Sequence, residues 1–316
     1  MIAEVNQIIP IVFSVDDNYA PFLGVTLESI IQNCSKNYYY KFYVLNTDLS
    51  NKNKEILSKY NREFCEISFI DVNKELQNIG HKLHLRDYYT MTIYYRFFIP
   101  ELFPEYSKAL YLDSDITVIG DISELYLTDI GDNIVGAVPE EVMTTYKVFG
   151  DYAEKGLGVK AERYFNNGIM VMNLNKMREI NIVEILKDLL PVHKLEVAPD
   201  QDYFNVICKD KVKYIGLEWN KAPIKNDEFV DSDLKLVHYK LALKPWKYDD
   251  VMYGNYFWEY AKDTEYYDYL KNKQANYSQK DIEIDDMMFK NLMQLAEDYL
   301  YKEDNYMKSL IKKGLV

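Results

Sequence analysis

The chain has 316 residues, of which 50 are acidic and 37 are basic, so its formal net charge is −13. Hydrophobic residues make up 48% and charged residues 28%, which is typical of a globular protein and excludes a disordered chain. The acidic balance argues against nucleic acid as a partner, because a nucleic-acid coat needs a basic face to displace counterions. It leaves room for one bound nucleotide, whose few charges can be met locally.

The cysteines and the N-terminus bear on the compartment. Cys34, Cys65 and Cys208 lie far apart and form no CxxC pair, so we expect neither a zinc ribbon nor a disulfide framework. A reduced, cytoplasmic setting is therefore expected. The N-terminal apolar run has no basic start and is broken by Pro10, so it predicts a first strand and not a signal peptide. No uncharged apolar run is long enough to span a bilayer.

The first seventy residues alternate between strand and helix patterns. Residues 8–15 form a continuous apolar run, as expected for a strand buried on both faces. The pattern then predicts a helix over 19–32, a strand over 39–45, a helix over 52–60 and a strand over 66–70. This alternation indicates βαβ crossovers and a mostly parallel sheet.

The middle of the chain continues the α/β pattern with one exception. Residues 88–103 read as a helix, punctuated by Pro100 and Pro104. Residues 139–163 show no clear periodicity, and we interpret them as a functional loop or lid. The remaining pattern predicts strands over 109–112, 116–119, 134–138, 168–172, 212–215 and 234–239, and helices over 180–190 and 201–208.

The C-terminal segment is predicted to be mostly helical after Trp246. Residues 282–311 carry apolar side chains at roughly helical spacing, which favours an amphipathic helical appendage packed on the core. A partner or membrane helix is the alternative, which the lack of a basic face disfavours, so peripheral membrane contact is only weakly supported. We therefore divide the chain into a main domain, residues 1–265, and a helical appendage, residues 266–316, and leave the oligomeric state open.

Two aspartates, Asp113 and Asp115, end an apolar strand. In an extended segment, residues i and i+2 point to the same side, so both carboxylates can reach one cation. Open α/β sheets bind their ligands at the carboxyl ends of the strands, which is where this pair lies. A DxD sequence alone is weak evidence, because acidic turns are common.

His238 and Lys244 form a second candidate pair. Alone, they are more simply interpreted as a structural histidine and a solvated lysine. However, a diphosphate cannot sit beside two aspartates without a divalent cation between them. Oxygen ligands with one imidazole suit Mn²⁺, which tolerates the nitrogen better, or Mg²⁺.

Three further polar clusters occur at predicted strand and helix ends. They are VDDNY at residues 15–19, YFNNG at 164–168 and DQD at 200–202. A carboxylate can accept from a base N–H, an amide can bind a sugar hydroxyl, and a tyrosine ring can stack on a base. Each cluster is also a common turn or helix cap.

In this order, these elements resemble glycosyltransferase family 8, the retaining GT-A enzymes that include lipopolysaccharide galactosyltransferases, glycogenin and galactinol synthases. The resemblance covers about residues 8–262 and rests on IVFSVDDNY, YYRFFIPELFP, KALYLDSDITVIGDISELY, YFNNGIMVMNL, DQDYFN and HYKLALKPW. It implies an α/β fold of the GT-A type, with a Rossmann-like, mostly parallel central sheet and a C-terminal helical extension. It also implies Mn²⁺-dependent transfer of glucose or galactose from a UDP-sugar to a hydroxyl of a glycan or glycoconjugate acceptor.

The resemblance also implies a role for single residues. By it, the metal ligands are Asp113, Asp115 and His238. The nucleoside contacts it implies are Asp16 and Tyr19 to uracil, with Asn18 and Ser114 near the ribose. The donor-sugar and diphosphate contacts it implies are Arg96, Asn166, Asn167, Asp200, Gln201 and Lys244, with Glu140 as a weaker candidate. Of these, Asp200 and Gln201 occupy the position nearest to a catalytic nucleophile.

One residue departs from the family pattern. Leu241 stands where the pattern has a glycine whose backbone N–H approaches the diphosphate, and a leucine there meets a penalty for positive φ. Either Leu241 holds its loop away from the phosphates, or the loop has rearranged so that Lys240 or Lys244 makes the contact. A catalytically weak UDP-sugar-binding protein is therefore the alternative function. A sugar nucleotidyltransferase is disfavoured, because no glycine-rich phosphate loop follows the first strand.

Overall fold

The structure is a computed structural model, and it describes residues 7–77 and 91–315. The strands of that part of the chain are β1 (Ile8–Ser14), β2 (Tyr39–Asn46), β3 (Cys65–Asp71), β4 (Lys108–Leu112), β5 (Ile116–Val118), β6 (Val135–Pro139), β7 (Phe165–Asn173), β8 (Val212–Tyr214) and β9 (Leu236–His238).

The α-helices of the described residues cover both faces of the sheet and form the C-terminal end. They are α1 (Ala20–Asn33), α2 (Asn51–Ser58), α3 (Asn73–Gln77), α4 (Ile99–Leu102), α5 (Ile122–Leu127), α6 (Glu141–Thr145), α7 (Lys147–Asp151), α8 (Leu174–Glu179), α9 (Ile182–Leu189), α10 (Pro199–Ile207), α11 (Gly254–Ala261), α12 (Tyr267–Ala275), α13 (Gln279–Tyr301) and α14 (Tyr306–Lys312).

A seven-stranded sheet of order β3-β2-β1-β4-β7-β6-β8 forms the centre of the fold. Strands β3, β2, β1 and β4 are mutually parallel, β7 is antiparallel to both β4 and β6, and β8 is parallel to β6. Six of the seven strands therefore run in one direction, which confirms the predicted mostly parallel α/β sheet. Their carboxyl ends share one edge, and the reversed strand β7 begins at that same edge.

A small second sheet positions two of the predicted metal ligands. Strands β5 and β9 pair antiparallel, with Ile116 opposite His238. Because Asp115 immediately precedes Ile116, this register brings the histidine beside the DxD turn although Asp115 and His238 lie 123 positions apart in the chain. Helix α1 fixes the turn from the other side, since the Thr26 hydroxyl donates to the carbonyls of Ser114 and Ile116 at 2.8 and 2.9 Å.

Several predicted elements need correction. The segment over 139–163 is not an irregular loop: it contains α6, α7 and a π-helical turn at Tyr152–Leu157. Their mixed, short helical periods hide the 3.6-residue repeat. The strand resumed at Ile116 belongs to the second sheet. Of the helix predicted over 88–103, residues 88–90 lie outside the described ranges, and Met91–Phe98 forms a 3₁₀ helix.

The C-terminal helices confirm the predicted helical extension. Helix α13 begins with a capping box, in which the Ser278 hydroxyl accepts from the N–H of Asp281 while the Asp281 carboxylate accepts from the N–H of Ser278. Leu292, Ala296 and Tyr299 bury one face of α13 against the main core. Within the described residues, every helix is too short or too polar to cross a membrane.

Candidate active site

A cavity of about 380 Å³ opens at the edge where the parallel strands end. Its walls come from the ends of β1, β4 and β6, the start of β7, the start of α10 and the loop after β9. All of the site residues predicted from sequence line this cavity: Asp16, Asn18, Tyr19, Arg96, Asp113, Ser114, Asp115, Glu140, Asn166, Asn167, Asp200, Gln201, His238 and Lys244.

Asp113, Asp115 and His238 lie together on the floor of the cavity. Their ligand atoms all fall within 4.8 Å of one another. The Nε2 atom of His238 is 3.3 Å from Asp115 Oδ1 and 3.6 Å from Asp113 Oδ2. Two carboxylate oxygens and one imidazole nitrogen thus converge on one point, which is the donor set of a divalent cation site.

The imidazole of His238 is oriented by a residue that the sequence analysis missed. Its Nδ1 lies 3.0 Å from the amide oxygen of Asn220, so an Nδ1–H donates there and leaves the Nε2 lone pair facing the aspartates. The Asn220 amide nitrogen in turn donates to Asn166 Oδ1 at 2.9 Å. Asn220 follows Trp219 in a segment with no recognisable motif, so no local signal marks it.

Gly168 leaves the space that the cluster occupies. A Cβ at this position would lie 2.3 Å from Asp113 Oδ2 and 2.5 Å from His238 Cε1, closer than side chains approach. The backbone N–H of Asp113 also donates to the Gly168 carbonyl at 2.7 Å. The glycine that follows the Asn-Asn pair therefore lets β7 pass directly behind Asp113 and His238.

Arg96 lies between Asp113 of the cation cluster and Asp200 at the start of α10. It is 4% exposed, and its guanidinium donates to Asp113 Oδ1 at 3.0 Å and to the Asn167 carbonyl at 2.7 Å. Its Nε is 3.3 Å from Asp200 Oδ2. Burial disfavours the charged form, but the two carboxylates outweigh it and raise the pKa of Arg96 above its ordinary value. The arginine therefore stays charged at neutral pH and holds both aspartates in place.

Lys244 pairs with the second aspartate. Its ammonium group donates to Asp115 Oδ2 and to the Tyr239 carbonyl, and the side chain is buried. Burial opposes ionisation of Asp115, yet the Lys244 ammonium outweighs it and holds the pKa of that carboxyl well below its usual range. Asp115 is thus an anion throughout the physiological pH range.

A second wall consists of buried amides and carboxylates. The Asn167 amide donates to Asp200 Oδ2 at 2.6 Å, and Gln201 Oε1 accepts from the Asn167 N–H at 3.2 Å. The Asn166 amide donates to Gln201 Oε1 at 3.1 Å and to Glu140 Oε2 at 2.7 Å. Burial raises the pKa of Asp200, and Arg96 opposes that effect. These hydrogen bonds link the side chains of this wall to one another.

Glu140 and Lys240 form a buried ion pair at the rim of this wall. Lys240 Nζ lies 2.8 Å from Glu140 Oε1, and both side chains are less than a tenth exposed. Burial would raise the pKa of Glu140, but Lys240 outweighs it and the pKa lies below its usual value. Glu140 is also the N-cap of α6, because its carboxylate accepts from the Val142 N–H at 3.3 Å. The sequence analysis did not pair these two residues, which lie 100 positions apart.

The residues assigned to the nucleoside lie at the more open end of the cavity. Asn18 is exposed, while Asp16 and Tyr19 are half-buried. Asp16 Oδ1 accepts from the Tyr19 N–H at 3.0 Å, a local side-chain bond that closes the turn between β1 and α1. The Tyr19 ring meets Phe22 edge-on with centroids 5.3 Å apart. Asp16 and Tyr19 thus stabilise the turn locally while both also line the cavity.

Leu241 adopts the backbone conformation that a glycine would favour. Its φ angle is 54°, in the left-handed region. The side chain is half-buried, packs against the main core and lines the cavity. The loop after β9 therefore keeps the left-handed turn at the pattern's glycine position, although a leucine occupies it.

Known proteins similar to this chain include several glycosyltransferases. Residues 10–250 match the glycosyl transferase family 8. A putative glycosyltransferase of Haemophilus influenzae is 30% identical over 241 residues, which cover 75% of this chain and 71% of that protein.

Two solved structures share the fold at 27–28% identity. The galactosyltransferase LgtC, in complex with donor and acceptor sugar analogs, superposes with a TM-score of 0.67 over 81% of this chain and 96% of that one. The bifunctional glycosyltransferase WbbM superposes with a TM-score of 0.74 over 86% of this chain. This chain spans about half of WbbM, namely 52% of its length.

Proposed function

The chain belongs to glycosyltransferase family 8, and we propose that it transfers a hexose, glucose or galactose, from a UDP-sugar to a hydroxyl of a glycan or glycoconjugate, with retention of configuration. The observation that carries this proposal is the convergence of Asp113, Asp115 and His238 on one point of the cavity floor. The similarity to LgtC, whose structure holds donor and acceptor sugar analogs, supports it.

The donor set fits Mn²⁺, with Mg²⁺ as the alternative. The oxygens of Asp113 and Asp115 and the Nε2 of His238 would hold the ion, and the absent Cβ of Gly168 leaves room for it. When bound, such an ion neutralises the diphosphate and stabilises the charge of the departing UDP. The Nδ1–H of His238, held by Asn220, keeps the imidazole in the tautomer that can coordinate.

We assign the open end of the cavity to the nucleoside. Asp16 would accept the N3–H of uracil, Tyr19 would stack on the base, and Asn18 and Ser114 would bind the ribose. The half-buried Tyr19 ring is supported edge-on by Phe22, so it can present a face to a base without losing its support. A uracil-specific contact of this kind would exclude cytosine, which has no N3–H.

The chemistry follows from the charges that the chain supplies. Lys244 would stabilise the negative charge that develops on UDP as the glycosidic bond breaks. Asp200 is held by Arg96 and Asn167, and Gln201 is a neutral amide, so neither is a free carboxylate of the kind that attacks the sugar in retaining hydrolases. We therefore favour attack of the acceptor hydroxyl on the same face from which UDP departs, with its proton passing to the leaving phosphate. Positioning by the cross-linked wall then supplies much of the rate.

A panel of UDP-sugars with Mn²⁺, read as UDP release with and without added sugar acceptors, tests the proposal. We expect one UDP-hexose to release UDP and the release to fail when the metal is chelated. Release that persists with a chelator would remove the metal assignment. A covalent glycosyl-enzyme intermediate on Asp200 would overturn same-face attack.

Leu241 favours a second candidate, a UDP-sugar-binding protein with weak catalysis. A left-handed leucine costs roughly 1–2 kcal/mol, and its side chain lines the cavity close to the expected diphosphate position. This candidate predicts that a UDP-hexose binds at micromolar affinity but is neither transferred nor hydrolysed. Calorimetric titration beside the UDP-release panel separates the two functions.

A further inference from the structure

A second cavity, of about 200 Å³, adjoins the first on the side of the appendage. The two cavities share the lining residues Val142, Lys240, Leu241 and Leu292. One wall of the second cavity comes from the loop after β9, and the opposite wall comes from α13. The sequence analysis assigned no role to either Met288 or Phe289, which face this space.

The lining of the second cavity is mainly apolar, and its two lysines and Asp285 are held in ion pairs. Lys240 is bound to Glu140, and Lys247 donates to both oxygens of Asp285 at 2.8 and 2.9 Å. Asp285 also accepts from the hydroxyls of Tyr248 and Tyr277. Only Lys240, Lys247, Asp285 and Asp286 are charged among the lining residues, so most of this surface offers a sugar hydroxyl no charged partner. Met288, Phe289 and the shared aliphatic side chains instead offer contact surface.

We propose that the second cavity binds an apolar aglycone, the non-sugar group attached to the acceptor glycoside. This inference rests on the proposed function, because an acceptor hydroxyl must meet the donor sugar in the first cavity while the rest of the acceptor leaves it. From the first cavity, the path past Leu241 and Leu292 leads into the second cavity, whose lining is mainly apolar. An acceptor whose sugar carries an aromatic ring or a short alkyl chain matches both cavities at once.

The volume and the position of the cavity define this occupant further. A cavity of roughly 150 Å³ lined by aliphatic and aromatic side chains accommodates a benzene ring, so about 200 Å³ suits one ring or a short chain. Helix α13 lies outside residues 10–250, which are the part that matches the family. The aglycone preference therefore depends on α13, which lies outside the family match, together with the loop after β9 that faces it.

Direct binding of small glycosides, without any donor, tests the proposal. The probes are phenyl and methyl glycosides of glucose and galactose, in both anomeric forms, titrated by calorimetry or ligand-observed NMR. We expect at least one phenyl glycoside to bind about tenfold more tightly than its methyl counterpart, because its ring is removed from water. Met288→Lys should abolish that preference, because it places a charge in the apolar space.

Met287→Lys is the matched control, since Met287 is the neighbouring residue on α13 but is 53% exposed and does not line the cavity. Retention of the phenyl preference in Met287→Lys and its loss in Met288→Lys supports the subsite. Equal binding of phenyl and methyl glycosides to the wild-type chain, or a preference unaffected by Met288→Lys, overturns it. UDP release by the wild-type chain is measured separately, so failure of the proposed function is distinguishable from failure of the subsite.

Discussion

The two ends of the cavity are organised in opposite ways. At the inner end, Arg96, Asn167 and Asp200 are buried and bound to one another. At the outer end, Asn18 is exposed and Tyr19 is half-buried. The contrast indicates that the part assigned to the reacting sugar and diphosphate is preorganised, whereas the part assigned to the base is completed by the ligand.

The largest effect on activity is expected at the cation site. Asp113→Asn or Asp115→Asn removes one of two anionic ligands and should reduce metal-dependent UDP release by about 10²–10³-fold, as loss of a key electrostatic group does. Asp132→Asn is the control, because the Asp132 side chain is 98% exposed. Activity of either variant at the level of the control would remove the metal assignment.

Substitution of Arg96 tests whether the stability of the inner end of the cavity depends on this one buried cation. Arg96→Met leaves Asp113 and Asp200 without their buried partner and should lower the free energy of unfolding by about 3–5 kcal/mol. Arg96→Lys keeps the charge but cannot reach all three partners, so we expect an intermediate loss in chemical denaturation. Arg163→Met, at a side chain that is 56% exposed, should change stability by less than about 0.5 kcal/mol. Equal effects of Arg96→Met and Arg163→Met on the free energy of unfolding would show that the inner end of the cavity does not depend on the Arg96 charge for its stability.

Tyr19 tests the outer end. Tyr19→Ala should weaken UDP binding by about 1–3 kcal/mol, the size of a lost base-stacking contact, with little change in stability. Tyr19→Phe should retain most of the affinity, and Tyr301→Ala, at a side chain that is 76% exposed, should retain all of it. A CDP-sugar that binds as tightly as the UDP-sugar in the same titration would contradict the role assigned to Asp16.

Asp202 lies on α10, two residues after Asp200, and is buried in the core. It is fully buried, accepts from the hydroxyls of Tyr152 and Tyr164 at 2.7 and 2.6 Å, and burial raises its pKa to about 7. Because the folded pKa lies above the unfolded value of 3.8, its contribution to stability is complete below that value and is lost as the pH rises towards about 7.

Asp202→Asn should therefore flatten the fall in stability across this pH range. Denaturant unfolding at several pH values measures the slope, and Asp132→Asn, at a side chain that is 98% exposed, is the comparison. An unchanged slope in Asp202→Asn would show that Asp202 is ionised in the folded chain throughout this range.

The smallest effect is expected at Leu241, where the loop after β9 meets both cavities. Leu241→Gly relieves a left-handed leucine but adds chain entropy and removes a half-buried side chain, so stability should change by no more than about 1 kcal/mol. Since the backbone already has the conformation suited to glycine, we expect UDP-sugar binding to tighten by about tenfold, the size of one hydrogen bond to a charged group.

Leu243→Gly is the matched control for Leu241→Gly, because Leu243 lies in the same loop without a positive φ angle. It loses a comparable side chain with no strain to relieve, so it should only destabilise. Looser donor binding in Leu241→Gly would instead favour a loop in which Lys240 or Lys244 makes the phosphate contact. Unchanged binding would remove this loop, including Lys244, from the donor site.

The local sequence determined the strands and the places where chemistry-bearing residues end them. The apolar runs of β1 and β4 identify strands buried on both faces, and the polar residues that follow each run must lie at the carboxyl edge of a parallel sheet. The strand pattern alone therefore placed the DxD pair and the residues after β1 at the carboxyl edge of the sheet, which is where the structure has them. The segment that became α6 and α7 was misread, because short helices carry too few turns to show a period.

Only the tertiary structure decided which of these residues meet, because the meetings depend on pairing between distant segments. The register of β5 against β9 brings His238 to Asp115, and no local pattern encodes an antiparallel partner more than a hundred residues away. The buried pair of Glu140 and Lys240 likewise exists because folding removes both from water, and each then requires the other. Packing of α13 against the core creates the second cavity, since an amphipathic pattern specifies that a face is buried but not what it is buried against.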